Sequence, residues 1–413
     1  MLHRSVVLGV LRSIRSNTRS FATTTGGAQT SLWDQNLSED QLEFQRTARE
    51  FAAKELLPNA AKWDEEKHFP VDTLRQAAEL GFASVYISED IGGSGLTRSD
   101  ATIIFETLAY GDISTTAYLT IHNMVSGCID RYGTDAQRQR FLPQLISLQA
   151  FSSYCLTEPG SGSDAASLST TAKRDGTDYI LTGSKAFISG GGVSDLYLVM
   201  ARTGAPGPKG ISAFLVEKGS AGLSFGKQEA KMGWNAQPTC SVSLDGVRVP
   251  QENRLGEEGQ GFSIAMTALD GGRINIGTCS VGGAAFCLDR ALQYASERKQ
   301  FGQAISKFQA IQFKLADMAT AVHASRLMIR RAAESLDANA QSATLEAAMA
   351  KRFATDACYG VADDAVQVLG GYGYLKEYGV ERVMRDLRVH KILEGTNQIM
   401  NVIIARELSR RQH

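Results

Sequence analysis

The segments Leu196-Tyr197-Leu198-Val199-Met200 and Ile211-Ser212-Ala213-Phe214-Leu215-Val216 are separated by a turn rich in glycine and proline. Each is short, apolar and closed by turn residues, so the pair predicts strands rather than helix. Tyr179-Ile180-Leu181 and Ser241-Val242-Ser243-Leu244 share the texture, which begins near Phe151 and has Pro250 near its end. The expectation is an antiparallel β domain over residues 151–260.

On its N-terminal side the pattern is helical. Ser38-Glu39-Asp40-Gln41 is a capping box, and Phe44, Ala48, Phe51, Ala52 and Leu56 follow at helical spacing until Pro58. Further helices are predicted from Val71 to Leu80, closed by Gly81, and from Ala101 to Tyr110, closed by Gly111. From about Gly261 the helical period returns, and Ile311, Leu315, Met318, Val322 and Ile329 form the stripe of a bundle helix. The expected layout is a helical domain over 38–150, the β domain, and a C-terminal helical bundle over 261–413. Nothing resembles alternating βαβ units, so a doubly wound nucleotide fold is not expected. A chain of 413 residues has room for more than one core.

From Met1 to Trp33 there is no acidic residue, while Arg4, Arg12, Arg15 and Arg19 are spread among Val, Leu, Ile and Ser. This is transit-peptide composition, placing a leader over 1–22 and a linker over 23–37. The net charge of −1 gives no electrostatic footprint for nucleic acid, and no apolar run reaches the length of a membrane span. The six cysteines contain no C-x-x-C pair, so they read as free thiols with neither a disulfide frame nor a metal site.

Four stretches bear on chemistry. Tyr154-Cys155-Leu156-Thr157-Glu158-Pro159-Gly160-Ser161-Gly162-Ser163-Asp164 offers small residues, hydroxyls and close backbone approach, suited to a phosphate or a flavin edge. Gly183-Ser184-Lys185-Ala186-Phe187-Ile188-Ser189-Gly190 places an aromatic and a hydroxyl two apart, on one face of a strand. Arg298-Lys299-Gln300-Phe301-Gly302, with Gln309, could grip a pyrophosphate. Gln367-Val368-Leu369-Gly370-Gly371-Tyr372-Gly373 is followed by Ile392-Leu393-Glu394-Gly395-Thr396-Asn397-Gln398, a carboxylate just ahead of a helix start. Each alone has a bland reading: an ordinary loop, a core ring beside a turn, a solvated turn, a surface carboxylate.

Together, in this order and at these spacings, they resemble the acyl-CoA dehydrogenase family over about residues 38 to 409. The likeness is strongest to branches acting on short, branched acyl chains, through Thr120-Ile121-His122-Asn123-Met124, Ser153-Tyr154-Cys155-Leu156, Gly207-Pro208-Lys209-Gly210 and His390-Lys391-Ile392-Leu393-Glu394. The resemblance implies a mainly α fold with a middle β domain: a helical domain, a β-barrel and a four-helix bundle. It implies FAD held by Tyr154, Cys155, Leu156, Thr157, Gly162, Ser163, Phe187, Ile188 and Ser189, and by Thr396, Asn397 and Gln398 of the same subunit. Arg298, Phe308, Gln309, Gln367, Val368, Leu369, Gly370 and Gly371 would reach the FAD of a neighbouring subunit. The implied assembly is at least a dimer, normally a homotetramer. Many relatives carry Trp and Thr where Phe187 and Ser189 stand.

For the acyl-CoA substrate the resemblance implies contacts from Ser163, Asp270, Gly271, Gly272, Arg273 and Arg406. Glu394 would be the general base. Some branched-chain relatives place that base where Gly272 stands, which leaves Glu394 the only family-consistent carboxylate. The thioester oxygen would be held by the Glu394 backbone N–H and a flavin hydroxyl. Electrons would pass to electron-transferring flavoprotein in the mitochondrial matrix. Three alternatives stand beside this reading: a different short acyl chain, butyryl or 2-methylbutyryl; an acyl-CoA oxidase using oxygen; and a noncatalytic helical scaffold that kept the fold.

Overall fold

A computed structural model describes residues 37–410. The 1–22 leader, all but the last residue of the 23–37 linker, and residues 411–413 lie outside the described residues.

Six helices come first: α1 (Glu39–Phe51), α2 (Ala60–Glu66), α3 (Val71–Glu79), α4 (Arg98–Gly111), α5 (Ile113–Tyr132) and α6 (Asp135–Ile146). Both hydrogen bonds of the Ser38 capping box are present, and α1 runs on as a π turn over Ala52–Leu56 ahead of Pro58. α4 starts earlier than Ala101 because Thr97 and Asp100 form a second capping box. Gly111 does not close α4 as expected, since it still belongs to the helix. A Cβ there would lie 2.9 Å from that of Leu56, so its role is to let α4 cross the π turn closely. Asp112 makes the break: its backbone is extended, and its carboxylate accepts the Thr115 N–H at the start of α5.

The middle layer is an eight-stranded sheet: β1 (Ser152–Cys155), β2 (Thr171–Asp175), β3 (Asp178–Ser189), β4 (Leu196–Arg202), β5 (Ile211–Glu217), β6 (Leu223–Phe225), β7 (Thr239–Val249) and β8 (Arg254–Leu255). Its hydrogen-bonded order is β6-β7-β3-β2-β4-β5-β8, with β1 on β4. The expectation of a purely antiparallel domain is corrected here. β1 pairs with β4 in parallel, as does β2 at Thr171 and Arg202, because the intervening strands return the chain in the original direction. β4 is buried on both faces. Leu196, Leu198 and Met200 join a core with α5, α6 and Ile264, whereas Tyr197, Val199 and Ala201 join the sheet's own core with Val242 and Leu244. That explains the continuous apolar run, in which alternation is absent.

The third part is α7 (Gly261–Glu297), a short hairpin of β9 (Lys299–Gln300) and β10 (Gln303–Ala304), α8 (Gln309–Asp337), α9 (Ala343–Leu369), α10 (Val380–His390) and α11 (Asn397–Arg410). α7 to α10 share one core, to which Ile274, Met318, Val361 and Leu387 belong. The predicted stripe faces it: Leu315, Met318, Val322 and Ile329 are buried and Ile311 packs at its edge. Among the described residues no helix is long and apolar enough to cross a membrane.

Candidate active site

Glu394 sits in the turn between α10 and α11, where Thr396 starts α11 by accepting the Ile399 N–H on its hydroxyl. Glu394 and Gly395 both have left-handed backbones, with φ of 56° and 86°. For a non-glycine residue that conformation costs on the order of 1–3 kcal/mol, so the surrounding packing must impose it. The turn aims the carboxylate at α7. A Cβ on Gly272 would lie 2.4 Å from Glu394 Oε2 and 3.0 Å from Oε1. A bare backbone at 272 is therefore the space the carboxylate fills.

Oε2 of Glu394 is buried without a hydrogen-bond partner among the described residues, and so is the hydroxyl of Tyr154 on β1. Burial pushes the Glu394 carboxyl up to about 7, against the opposing pull of Arg273 and Lys351. Tyr154 is held well above its ordinary range by burial, with Cys128 and Glu394 nearby adding to the rise. A carboxylate that titrates near neutrality beside an unsatisfied phenol is the chemistry of a proton-transfer site. Among the described residues the backbone N–H of Glu394 has no acceptor either.

The Tyr154 loop and the β3 end are fastened together by a buried ion pair that the sequence reading did not assign. Lys185 Nζ donates to Glu158 Oε1 at 2.8 Å and to the Leu156 carbonyl at 3.2 Å, and both side chains are sealed from solvent. Glu158 also accepts from the N–H groups of Ser169 and Thr170. Burial alone would raise its carboxyl, but Lys185 and these donors bring it down to about 2. Lys185→Met would strand that charge, and breaking such a pair costs about 3–5 kcal/mol. A fall in Tm and loss of bound cofactor on gel filtration are expected. An unchanged Tm would show that the pair does not fasten the loop.

Phe187 lies at a bulge in β3, where the register with β7 shifts between Lys185 and Ile188. Its φ is 58° and its ring is 70% exposed, while Ile188 beyond it is buried. Past the bulge, Phe187 and Ser189 both face away from the core, as the two-residue spacing implies. A large ring held out on a strained backbone suits a flat aromatic ligand, and Gly160 and Gly162 on the preceding loop have open space where a Cβ would stand. The residues present thus fit a flavin. Cys155 and Ile188 point into the sheet core and Leu156 into the core beneath it, which leaves them only backbone contacts to offer. Thr157 is half-buried, and its carbonyl accepts the Ala186 N–H. Gly162, Ser163 and Gln398 are exposed.

The Asn397 side chain is turned inward, bonded to Lys351 and Thr355 on α9. Arg273 is buried, pairs with Asp270, and donates weakly from Nε to the Glu394 carbonyl at 3.4 Å. Asp270 also accepts from the Thr344 hydroxyl. Gly271 is bare because the Arg98 guanidinium lies 2.5 Å from where its Cβ would be. Arg98 stacks on Tyr86, whose hydroxyl donates to Asn275. Arg406 is exposed and pairs with Glu407.

The remaining predicted residues gather elsewhere. Arg298, Val368, Leu369, Gly370 and Gly371 line a cleft of about 460 Å³ with Tyr294, Gln300, Ile305, Tyr372 and Leu375. Phe308 and Gln309 begin α8 nearby, and exposed Gln367 precedes Val368. Gly272 and Glu297 are 25 residues apart on one helix, roughly 37 Å by its rise. The Arg298 cleft therefore lies well away from Gly272 along α7.

Among the buried polar residues around the Glu394 turn to which the sequence assigned no role is His390. Trp234 Nε1 donates to its Nε2 at 3.2 Å, so Nδ1 carries the proton and donates to Ser280 at 2.7 Å. Burial lowers it to about 3, keeping it neutral beneath the Glu394 turn. The sequence assigned none to Lys185, Lys351 or the Arg98, Tyr86, Asn275 group either.

Comparison with known proteins gives a consistent result. Three family models match in order: the acyl-CoA dehydrogenase N-terminal domain over residues 38–149, its middle domain over 153–247 and its C-terminal domain over 259–409. The mitochondrial isobutyryl-CoA dehydrogenase of Dictyostelium discoideum is 61% identical over 378 residues, 91% of each chain. That of Bos taurus is 56% identical over 372 residues, 90% of this chain and 89% of its own. The structure of butyryl-CoA dehydrogenase from Megasphaera elsdenii superposes with a TM-score of 0.88 at 38% identity, over 91% of this chain and 99% of the other.

Proposed function

The chain belongs to the acyl-CoA dehydrogenase family, and from that premise we propose that it uses FAD to convert isobutyryl-CoA to methacrylyl-CoA, a step of valine catabolism. The observation that carries the reading is the Glu394 carboxylate, sealed against Gly272, unpartnered at Oε2 and titrating near neutrality.

The α C–H of a thioester is a very weak acid, so its removal needs a positioned base and a place for charge to develop on the thioester oxygen. Glu394 takes the α proton at its carboxylate. The Glu394 backbone N–H, free of other acceptors, is a donor for the oxygen. FAD, when bound, would supply the two-electron oxidant for the hydride that leaves the β carbon as the double bond between the α and β carbons forms. Thr157, Phe187 and Ser189 on the β layer, with Thr396 and Gln398 at the start of α11, would hold its ring system. Tyr154 closes the pocket from the sheet side and excludes water, which strengthens both interactions. Asp270, Arg273, Ser163 and Arg406 are the candidates for the CoA portion.

The cleft lined by Arg298 and residues 368–371 supports a neighbouring subunit's cofactor as its occupant, and hence at least a dimer, with the homotetramer proposed from the family norm. Electron-transferring flavoprotein is the proposed acceptor. The mitochondrial names of the curated relatives, with the acid-free leader composition, support a location in the matrix.

The test is anaerobic mixing of the purified flavoprotein with isobutyryl-CoA, butyryl-CoA and 2-methylbutyryl-CoA, following loss of flavin absorbance. One methyl in a pocket is worth about 1–3 kcal/mol, so the preferred chain should bleach the flavin roughly 10–200 times faster per unit concentration. Fastest bleaching by another chain would keep the chemistry and change the substrate. No bleaching by any would overturn the proposal.

A further inference from the structure

α9 buries a lysine behind the catalytic turn. Lys351 is 0% exposed, and among the described residues no carboxylate lies within ion-pair distance of it. Lysine is almost never fully buried without a pairing partner, because desolvation of the ammonium must be offset by strong acceptors. Here the acceptors are the Gly395 carbonyl and Asn397 Oδ1, each 2.8 Å from Nζ. Asn397 is fixed in turn by the Thr355 hydroxyl.

We propose that Lys351 is a positioning residue for the base: its ammonium ties the left-handed Glu394-Gly395 turn to α9 and so holds the carboxylate against Gly272. This rests on Glu394 being the base. Two consecutive left-handed residues need an external restraint, and the alternative one is weak, since Arg273 reaches the Glu394 carbonyl only at 3.4 Å. Lys351 grips the next carbonyl along with a charge-assisted bond, the stronger kind. Both bonds span more than forty residues of sequence, so they join helix to turn rather than closing a local loop.

The same ammonium acts on the charge of the base. The groups facing Glu394 are Arg273 from α7, Lys351 from α9 and Tyr154 from β1. Those facing Lys351 are Glu394, Arg273, Asp356 and the neutral His390 of α10, and its burial brings it down to about 8. Its positive charge opposes the burial-driven rise of Glu394, so removing it should move the carboxyl further up.

The experiment compares wild type, Lys351→Met and Lys351→Arg as flavin-loaded proteins with isobutyryl-CoA and a dye acceptor, across about pH 6 to 9. Lys351→Met should lower kcat per bound flavin about 30- to 100-fold with KM within about threefold, the scale of a small misplacement of a reacting group. Its acid limb should move up, and hydrogen exchange of segment 391–397 should quicken. Lys351→Arg keeps the charge but replaces a compact donor by a planar fork, so kcat should fall about tenfold with the limb unmoved. A role confined to fold stability would lower yield and flavin content, leaving kcat per flavin, the limb and local exchange as in wild type, and that result would overturn the proposal. If the methionine variant gives no soluble flavoprotein, the arginine variant decides: kcat per flavin within twofold of wild type overturns it. Glu394→Gln run alongside separates the two failures. An active glutamine variant sinks the base assignment, whereas an inert one beside normal Lys351 variants sinks only the positioning role.

Discussion

Glu394→Gln should cut turnover at least ~10³-fold while leaving a folded, flavin-coloured protein. A positioned general base contributes on the order of 10²–10⁴-fold, and no second group can take over here. Tyr154 feels the Glu394 charge, but burial keeps it a neutral phenol at any working pH. His390 is neutral, yet both its nitrogens are engaged, by Trp234 and Ser280. In the wild type, kcat/KM should show an acid limb near 7, because the carboxyl is raised to about 7 and only its ionised form accepts a proton. The residual activity of the glutamine variant should lack that limb.

The same substitution carries a stability prediction of opposite sign. A carboxyl raised from about 4.5 to about 7 in the fold opposes folding once ionised. Below the unfolded value both states are protonated and nothing is lost. The cost grows as pH climbs through the window between the two values, and above 7 it is complete, up to about 3 kcal/mol. Glu394→Gln should therefore melt higher than wild type at pH 8 and alongside it near pH 4.5. A variant that melted lower at pH 8, or turned over at a near-normal rate, would remove Glu394 from the role.

What could be read from the chain was the part written in local patterns. The Ser38 capping box, the Leu315 to Ile329 stripe and the apolar runs of β4 and β5 each depend on neighbours within one or two turns. The four motifs fall on the ends of β1 and β3, the Arg298 cleft and the Glu394 turn. What escaped depended on partners far along the chain. Lys185 and Glu158 meet through a strand and a loop 27 residues apart, and Lys351 meets Gly395 across 44. Gly111 looked like a helix stop because glycine is one, yet α4 needs it for a crossing. β1 enters beside β4 in parallel, which no turn signal announces. For Lys351 there was a trace: it stands in a stripe of small residues, with Ala347, Ala350, Ala354 and Cys358 all buried. A charge on an otherwise core-facing stripe must find a partner or a function.

Gly272→Ala should separate stability from catalysis. Gly272 lies inside α7, where alanine is favoured over glycine by about 1 kcal/mol. The three atoms a new methyl would meet first, at 2.4, 2.8 and 3.0 Å, all belong to the Glu394 carboxylate. They are the far end of a flexible side chain, so the fold yields cheaply and Tm should hold or rise. The carboxylate, however, must leave the position from which it reaches the α carbon. A shift of about 1 Å costs on the order of 10²-fold in rate, so kcat should fall roughly 10- to 100-fold with flavin content intact. Gly360→Ala is the control, since that glycine is also inside a helix but has open space where its Cβ would be, and kcat should be unchanged. Should Gly272→Ala turn over as fast as the control, the methyl and the base do not compete for one space, and the carboxylate works from somewhere other than the face of α7.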